Sequence, residues 1–150
     1  LIEAAKLSKK RLLLVGHVRE KDYFKSLEID NDSVIYYGSV ENHSHEFFSL
    51  LLNAKCFVLP STLETPGLAA LEAAALGIPI IVTSEGCAKE YFGGIDTYYD
   101  GKSGDVKELS ELITKVFLHP MLGSVNFNQI KKFTWSKCIE NQILVYEELI

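Results

Sequence analysis

Four short apolar runs constrain what this chain can fold into more than any other feature of it. They are RLLLVGH (Arg11 to His17), VIYY (34–37), CFVL (56–59) and PIIVT (79–83), each followed closely by a glycine, proline or serine. The first reads as a strand buried on both faces, as in a parallel sheet, and the others as the second, third and fourth strands. Helical spacing fills the intervals. Leu1 to Lys10 is the tail of a helix, and Glu20 to Ile29 puts Tyr23, Phe24 and Leu27 on one stripe. Asn31-Asp32 turns the chain. Ser44 is placed to cap a helix from His45 to Asn53 that turns Phe47, Phe48, Leu50, Leu51 and Leu52 inward. A short helix is expected over Cys87 to Phe92 and an edge strand over Thr97 to Tyr99. Asp105 to Leu118 is amphipathic, with Val106, Leu109, Leu112, Ile113, Val116 and Phe117 recurring at helical spacing. Helices over 122–133 and 136–149 close the chain, the last with Ile139, Ile143, Tyr146 and Leu149 on one stripe. Strand and helix in this alternation predict an α/β fold, a Rossmann-like doubly wound parallel sheet with C-terminal helices.

At 150 residues the chain has material for one ordinary core. Its net charge of −5 argues against nucleic acid as a partner, since phosphate backbones call for a basic surface. Cys56, Cys87 and Cys138 are an odd number at unpatterned spacing, which points to reduced thiols and a cytoplasmic setting. No apolar run approaches the ~20 residues that span a bilayer. The first residue is Leu1, not Met, inside an apparent helix. The expectation is a single domain, 1–150, from a longer protein.

In a doubly wound sheet ligands bind beyond the carboxyl ends of the strands. The residues there are Gly16-His17, Gly38-Ser39-Val40, Pro60-Ser61 and Thr83-Ser84-Glu85-Gly86. The third position opens the stretch STLETPGLAALEAAALGIP (61–79), a polar turn that becomes an Ala/Leu helix. Thr65 suits an N-cap, Pro66 the first helical position, and Gly67 a close approach of ligand to backbone. The amides of that first turn make an anion site, suited to a diphosphate. Glu72 sits inside the apolar helix, where a buried and unpaired carboxylate would cost several kcal/mol. Helical side chains lean toward the N-terminus, so Glu72 is aimed at hydroxyls one sugar away from the phosphates. Glu64 lies on the other side, where a transferred group would sit. His17, His43 and His45 lack metal-ligand spacing and read as solvated polar residues. Cys87 reads as an inert loop thiol, and Trp135 and Tyr146 as packing residues.

Several pieces, in order, resemble the donor-binding domain of a GT-B glycosyltransferase of the retaining family 4 group. They are Gly38-Ser39-Val40 after a strand, Asn53-Ala54 at a helix end, FVLPS (57–61), and Glu64-x7-Glu72. EAAALGIPII (72–81), Glu85-Gly86-Cys87-x2-Glu90, and FTW (133–135) ahead of a helix ending VYEEL follow. Together they cover most of the chain. The resemblance implies that Glu72 binds the ribose hydroxyls of a nucleotide sugar and that Glu64, in the catalytic role, contacts the donor sugar. It implies that backbone amides near Gly67 and Leu68, in the turn opened by Pro66, hold the diphosphate. Gly16, Ser39 and Val40 would line the donor. The family works with retention and without a metal, so no cofactor beyond the nucleotide-sugar substrate is expected. The sequence departs from the family pattern at Pro66, where Phe is usual, at Cys87 and at Val18. The basic residues that pair with the diphosphate, and the acceptor-binding domain that would be this domain's partner, correspond to sequence upstream of Leu1. Membrane association of the longer protein at the inner membrane face would lie there too. The chain by itself is therefore expected to bind a donor weakly and not to catalyse transfer.

Three other functions fit the sequence less well. A flavodoxin-like interaction module, such as a receiver, needs an acidic pocket that Val15-Gly16-His17 lacks. A dinucleotide oxidoreductase needs a Gly-x-Gly-x-x-Gly, of which only Gly16 is present. A GT-B nucleotide-sugar epimerase shares the scaffold, but the ordered motifs favour transfer.

Overall fold

The computed structural model describes residues 1–149 other than 28, 63, 66, 101–103 and 126. Strands and helices alternate in the expected order. Helix α1 (Ile2–Leu7) leads into β1 (Leu12–Val15), α2 (Lys21–Ser26), β2 (Val34–Gly38), α3 (His45–Asn53) and β3 (Phe57–Leu59). Then come α4 (Leu68–Ala75), β4 (Ile80–Thr83), α5 (Ala88–Phe92), β5 (Tyr98–Tyr99), α6 (Val106–Leu118), α7 (Phe127–Ile130) and α8 (Trp135–Glu148). Every strand pair is parallel.

The best-covered strand is β4, buried at all four positions. Its alternate side chains enter two cores. Ile80 and Val82 join Leu51, Ala70, Ala73, Ala74 and Phe92, on the side of α3, α4 and α5. Ile81 joins Ala4, Tyr99, Leu109, Ile113 and Val116, on the side of α1 and α6. Helices on both faces of a parallel sheet are the doubly wound arrangement.

The ladder itself falls into two blocks, β1-β2 and β3-β4-β5. Among the described residues no backbone hydrogen bond joins β1 to β3. The run RLLLVGH, expected to be buried on both faces, is not: Leu13 and Val15 are 40% and 43% exposed. On one side Phe24 of α2 covers Tyr36, with ring centroids 4.7 Å apart. On the other side the strand borders the gap between the blocks.

Local chemistry sets the ends of the elements. The Ser44 hydroxyl accepts from the Phe47 amide at 3.1 Å, as expected of a cap. Asp105 accepts from the amides of Lys107 and Glu108, and Thr134 from Lys137. Before β2 the turn is held by Asp30, whose carboxylate takes the amides of Asp32, Ser33 and Val34 at 2.8–3.0 Å. The Ser33 hydroxyl and then these amides hold the Asp30 carboxyl well below the usual range.

Three inward assignments change. Leu52 and Tyr23 are exposed, and the last helix buries none of its described residues: Trp135, at 84% exposure, and Tyr146 are solvent-facing and not core. The helix expected over 122–133 is confined to α7.

Candidate functional site

The site is built from loops leaving the carboxyl ends of the strands. After β3 the chain reaches Gly67, which is the N-cap of α4 and adopts φ 65°, ψ 61°. A side chain there would be strained, and its Cβ would come within 3.3 Å of Leu59 Cδ2. Gly67, not Thr65, therefore starts the helix. The Gly67 carbonyl takes the amides of Ala70 and Leu71 at 2.9 and 3.1 Å. Helix geometry leaves the preceding amides, of Leu68 and Ala69, without an intrahelical acceptor. Pro66 lies outside the described residues.

The loop after β4 meets this turn. A Cβ on Gly86 would stand 2.8 Å from the carbonyl oxygen of Glu64, so only glycine allows the two loops this approach. Between them is a cavity of about 20 Å³, lined by Leu59, Glu64, Gly67, Thr83, Glu85 and Cys87 among others. Space of this size holds a water-sized group and not a hexose ring. The Glu85 amide donates to the Thr83 hydroxyl at 3.3 Å, which shapes the loop's exit from β4.

A larger cavity of about 560 Å³ brings together Gly16, His17, Ser39, Val40 and Asn42 with Ala69 of the first turn of α4. The ends of β1 and β2 are tied there, Gly16 N–H to the Gly38 carbonyl at 2.9 Å and the Tyr36 hydroxyl to the Gly16 carbonyl at 2.8 Å.

Glu72 borders neither cavity. It is half-buried, four residues and so about 6 Å of helix rise beyond Leu68. Its Oε1 lies 3.0 Å from Nε2 of His43, whose ring stacks near-parallel to Phe48 and meets Phe47 edge-on. His43 belongs to the loop between β2 and α3, downstream of Ser39 and Val40. This bond ties that loop to α4. The carboxylate thus has a partner within the chain, and His43 is not merely a solvated residue. Nothing near it in sequence points to that partnership, because 29 residues separate the pair.

Glu64 and Gly67 are thus together at one cavity, and Gly16, Ser39 and Val40 at the other. Among the described residues no group of three or more His, Cys, Asp or Glu side chains is arranged to hold a metal. No helix among them is long and apolar enough to cross a membrane.

Parallel strands covered by helices on both faces, with their carboxyl-end loops meeting at the start of α4, define a Rossmann-like, doubly wound class of domain. The family model of the glycosyl transferases group 1 matches residues 1–132, and the chain belongs to that family. It is 34% identical over 110 residues to an uncharacterized glycosyltransferase of Methanocaldococcus jannaschii, a match covering 69% of this chain and 31% of that protein. It is 36% identical over 110 residues to N,N'-diacetylbacillosaminyl-diphospho-undecaprenol alpha-1,3-N-acetylgalactosaminyltransferase of Campylobacter jejuni, covering 71% of this chain and 27% of that protein. The matches therefore span about three-tenths of the length of these relatives. Sucrose-phosphate synthase from Thermosynechococcus elongatus has the same fold, with a TM-score of 0.71 and 22% identity over 99% of this chain and 42% of that one.

Proposed function

We propose that this chain is the donor-binding part of a retaining glycosyltransferase, which moves a hexosyl group from a nucleotide sugar to an acceptor hydroxyl without a metal. One observation carries the reading. The loops after β1, β2, β3 and β4 converge on the first turn of α4, whose leading amides have no intrahelical acceptor. The diphosphate would take the amides of Leu68 and Ala69, beside Gly67. The nucleoside would lie toward Gly16, Ser39 and Val40, and the transferred sugar at the mouth of the Glu64 cavity. Stabilising the leaving diphosphate is the electrostatic work such a helix start performs.

In this reading Glu72 accepts a ribose hydroxyl through Oε2 while His43 holds Oε1. His43 is then a positioning residue, which keeps the carboxylate from turning back into the apolar helix face. The acceptor domain, contributed by another part of a longer polypeptide, completes the catalytic centre.

Calorimetric titration with UDP, GDP and ADP tests the proposal. One of the three is expected to bind in the range of ~0.1–1 mM, with Glu72→Ala weakening it at least tenfold, a change of about 1.4 kcal/mol. His43→Ala is expected to weaken it less. A folded protein that gives no heat with any of the three at millimolar concentration would sink the reading.

A further inference from the structure

The loop that leaves β1 borders two cavities. One is the cavity of Ser39 and Val40, proposed above to take the nucleoside. The other is an open trough of about 600 Å³ between this loop and α2. Gly16 and His17 line both. The proposed donor contacts leave the trough unused, although its size lies within the ~300–1,000 Å³ of small-ligand clefts. Its lining combines two chemistries. Three aromatic rings belong to it, those of Tyr23, Phe24 and Tyr36. The Tyr36 hydroxyl donates to the Gly16 carbonyl at 2.8 Å, and Phe24 meets the Tyr36 ring edge-on at 4.7 Å. Both rings are therefore held in place before a ligand arrives, which lowers the cost of binding. Tyr23 stands in the same trough with 65% of its surface exposed. The polar lining is His17, Arg19 and Glu20. Among the described residues Arg19 and Glu20 form no ion pair, which leaves guanidinium donors and carboxylate acceptors to a ligand.

We propose that this trough binds a neutral sugar residue of the acceptor. A pyranose ring carries C–H groups on its face and hydroxyls around its edge. The negative face of an aromatic ring attracts the first, and a guanidinium beside a carboxylate serves the second as donor and acceptor. A wholly apolar ligand would take water from Arg19 and Glu20 without replacing its hydrogen bonds. A phosphate would find the charge of Arg19 offset by that of Glu20. An uncharged polyol with an apolar face satisfies both halves of the lining. That this sugar belongs to the acceptor rests on the donor site proposed above, because the loop of Gly16 and His17 then has donor on one side and saccharide on the other. That a neutral saccharide binds rests on the trough alone.

The test is an NMR titration of the protein with cellobiose, lactose and N,N'-diacetylchitobiose in the absence of nucleotide. At least one of these disaccharides is expected to shift the amides of 16–20 and 23–27, with a Kd of ~1–30 mM. Tyr23→Ala is expected to weaken that binding about fivefold, whereas Tyr23→Phe, which keeps the ring, stays within about twofold of the unaltered protein. Arg19→Ala is expected to weaken it as well. Both side chains are exposed, so the amide spectrum away from the trough is expected to stay that of the folded protein. The absence of shifts with any of the three disaccharides at ~50 mM would overturn the proposal. So would shifts confined to other residues, or binding that Tyr23→Ala and Arg19→Ala leave unchanged. A protein that binds a disaccharide but none of UDP, GDP and ADP would overturn the assignment to the acceptor. Failure of the trough and failure of the donor site are therefore separate results.

Discussion

Gly86 joins the two loops of the site by having no side chain. Its φ of +62° is a conformation L-residues avoid, and a Cβ would press on the Glu64 carbonyl. Gly86→Ala is expected to cost about 1–3 kcal/mol in denaturant unfolding. Gly77 has a similar φ of +75° but open space around it, so Gly77→Ala isolates the backbone part of that cost. Equal losses in the two variants would show that the Glu64 contact contributes nothing. Cys56 makes a second residue-level case. Burial pushes its thiol from 9.0 up to about 11. In the unfolded chain it ionises near 9, so its contribution to stability is whole below pH 9 and is lost as pH rises toward 11. Only about one thiol in a thousand would be ionised at pH 8. Iodoacetamide at that pH is therefore expected to label the exposed Cys138 first and to spare Cys56 in the native protein, as mass spectrometry would read. Native Cys56 labelled as fast as Cys138 would contradict the burial.

The helices divide by how their ends and faces are specified. Starts at Ser44, Asp105 and Thr134 are made by side chains that accept amides two or three residues on, a signal contained within one turn of sequence. The start of α4 is different. Thr65 has the chemistry of a cap, but the close packing of the turn against Leu59 selects the left-handed glycine two residues later. Helix α8 has a good cap and an apolar stripe, yet Ile139, Ile143 and Tyr146 face solvent. Deleting residues 135–150 is thus expected to change unfolding free energy by less than about 1 kcal/mol, within the range of surface changes. The ring contact of Tyr91 with Phe133, at 4.4 Å, is kept in that truncation. A loss above ~3 kcal/mol would mean that α8 docks on the domain in solution.

Across the molecule, α1 and α6 connect the two blocks: Ala4 is buried among Ile81, Leu109, Ile113 and Val116, while α1 also touches β2. Alternation of strand and helix, parallel pairing and two helical layers were legible from the apolar runs, because each is specified by periodicity within ten or so residues. The pairing of the strand-end glycines with the 61–79 stretch was legible too, since a doubly wound sheet places all its strand ends on one side. The partner of Glu72 was not, and neither was the exposed face of β1. An apolar run states that a strand favours cover on both faces, and a carboxylate in an apolar helix states that it needs a partner. Which group provides either is decided by contacts between residues far apart in the chain. Here those contacts give Glu72 its histidine and leave Leu13 and Val15 bordering an open gap.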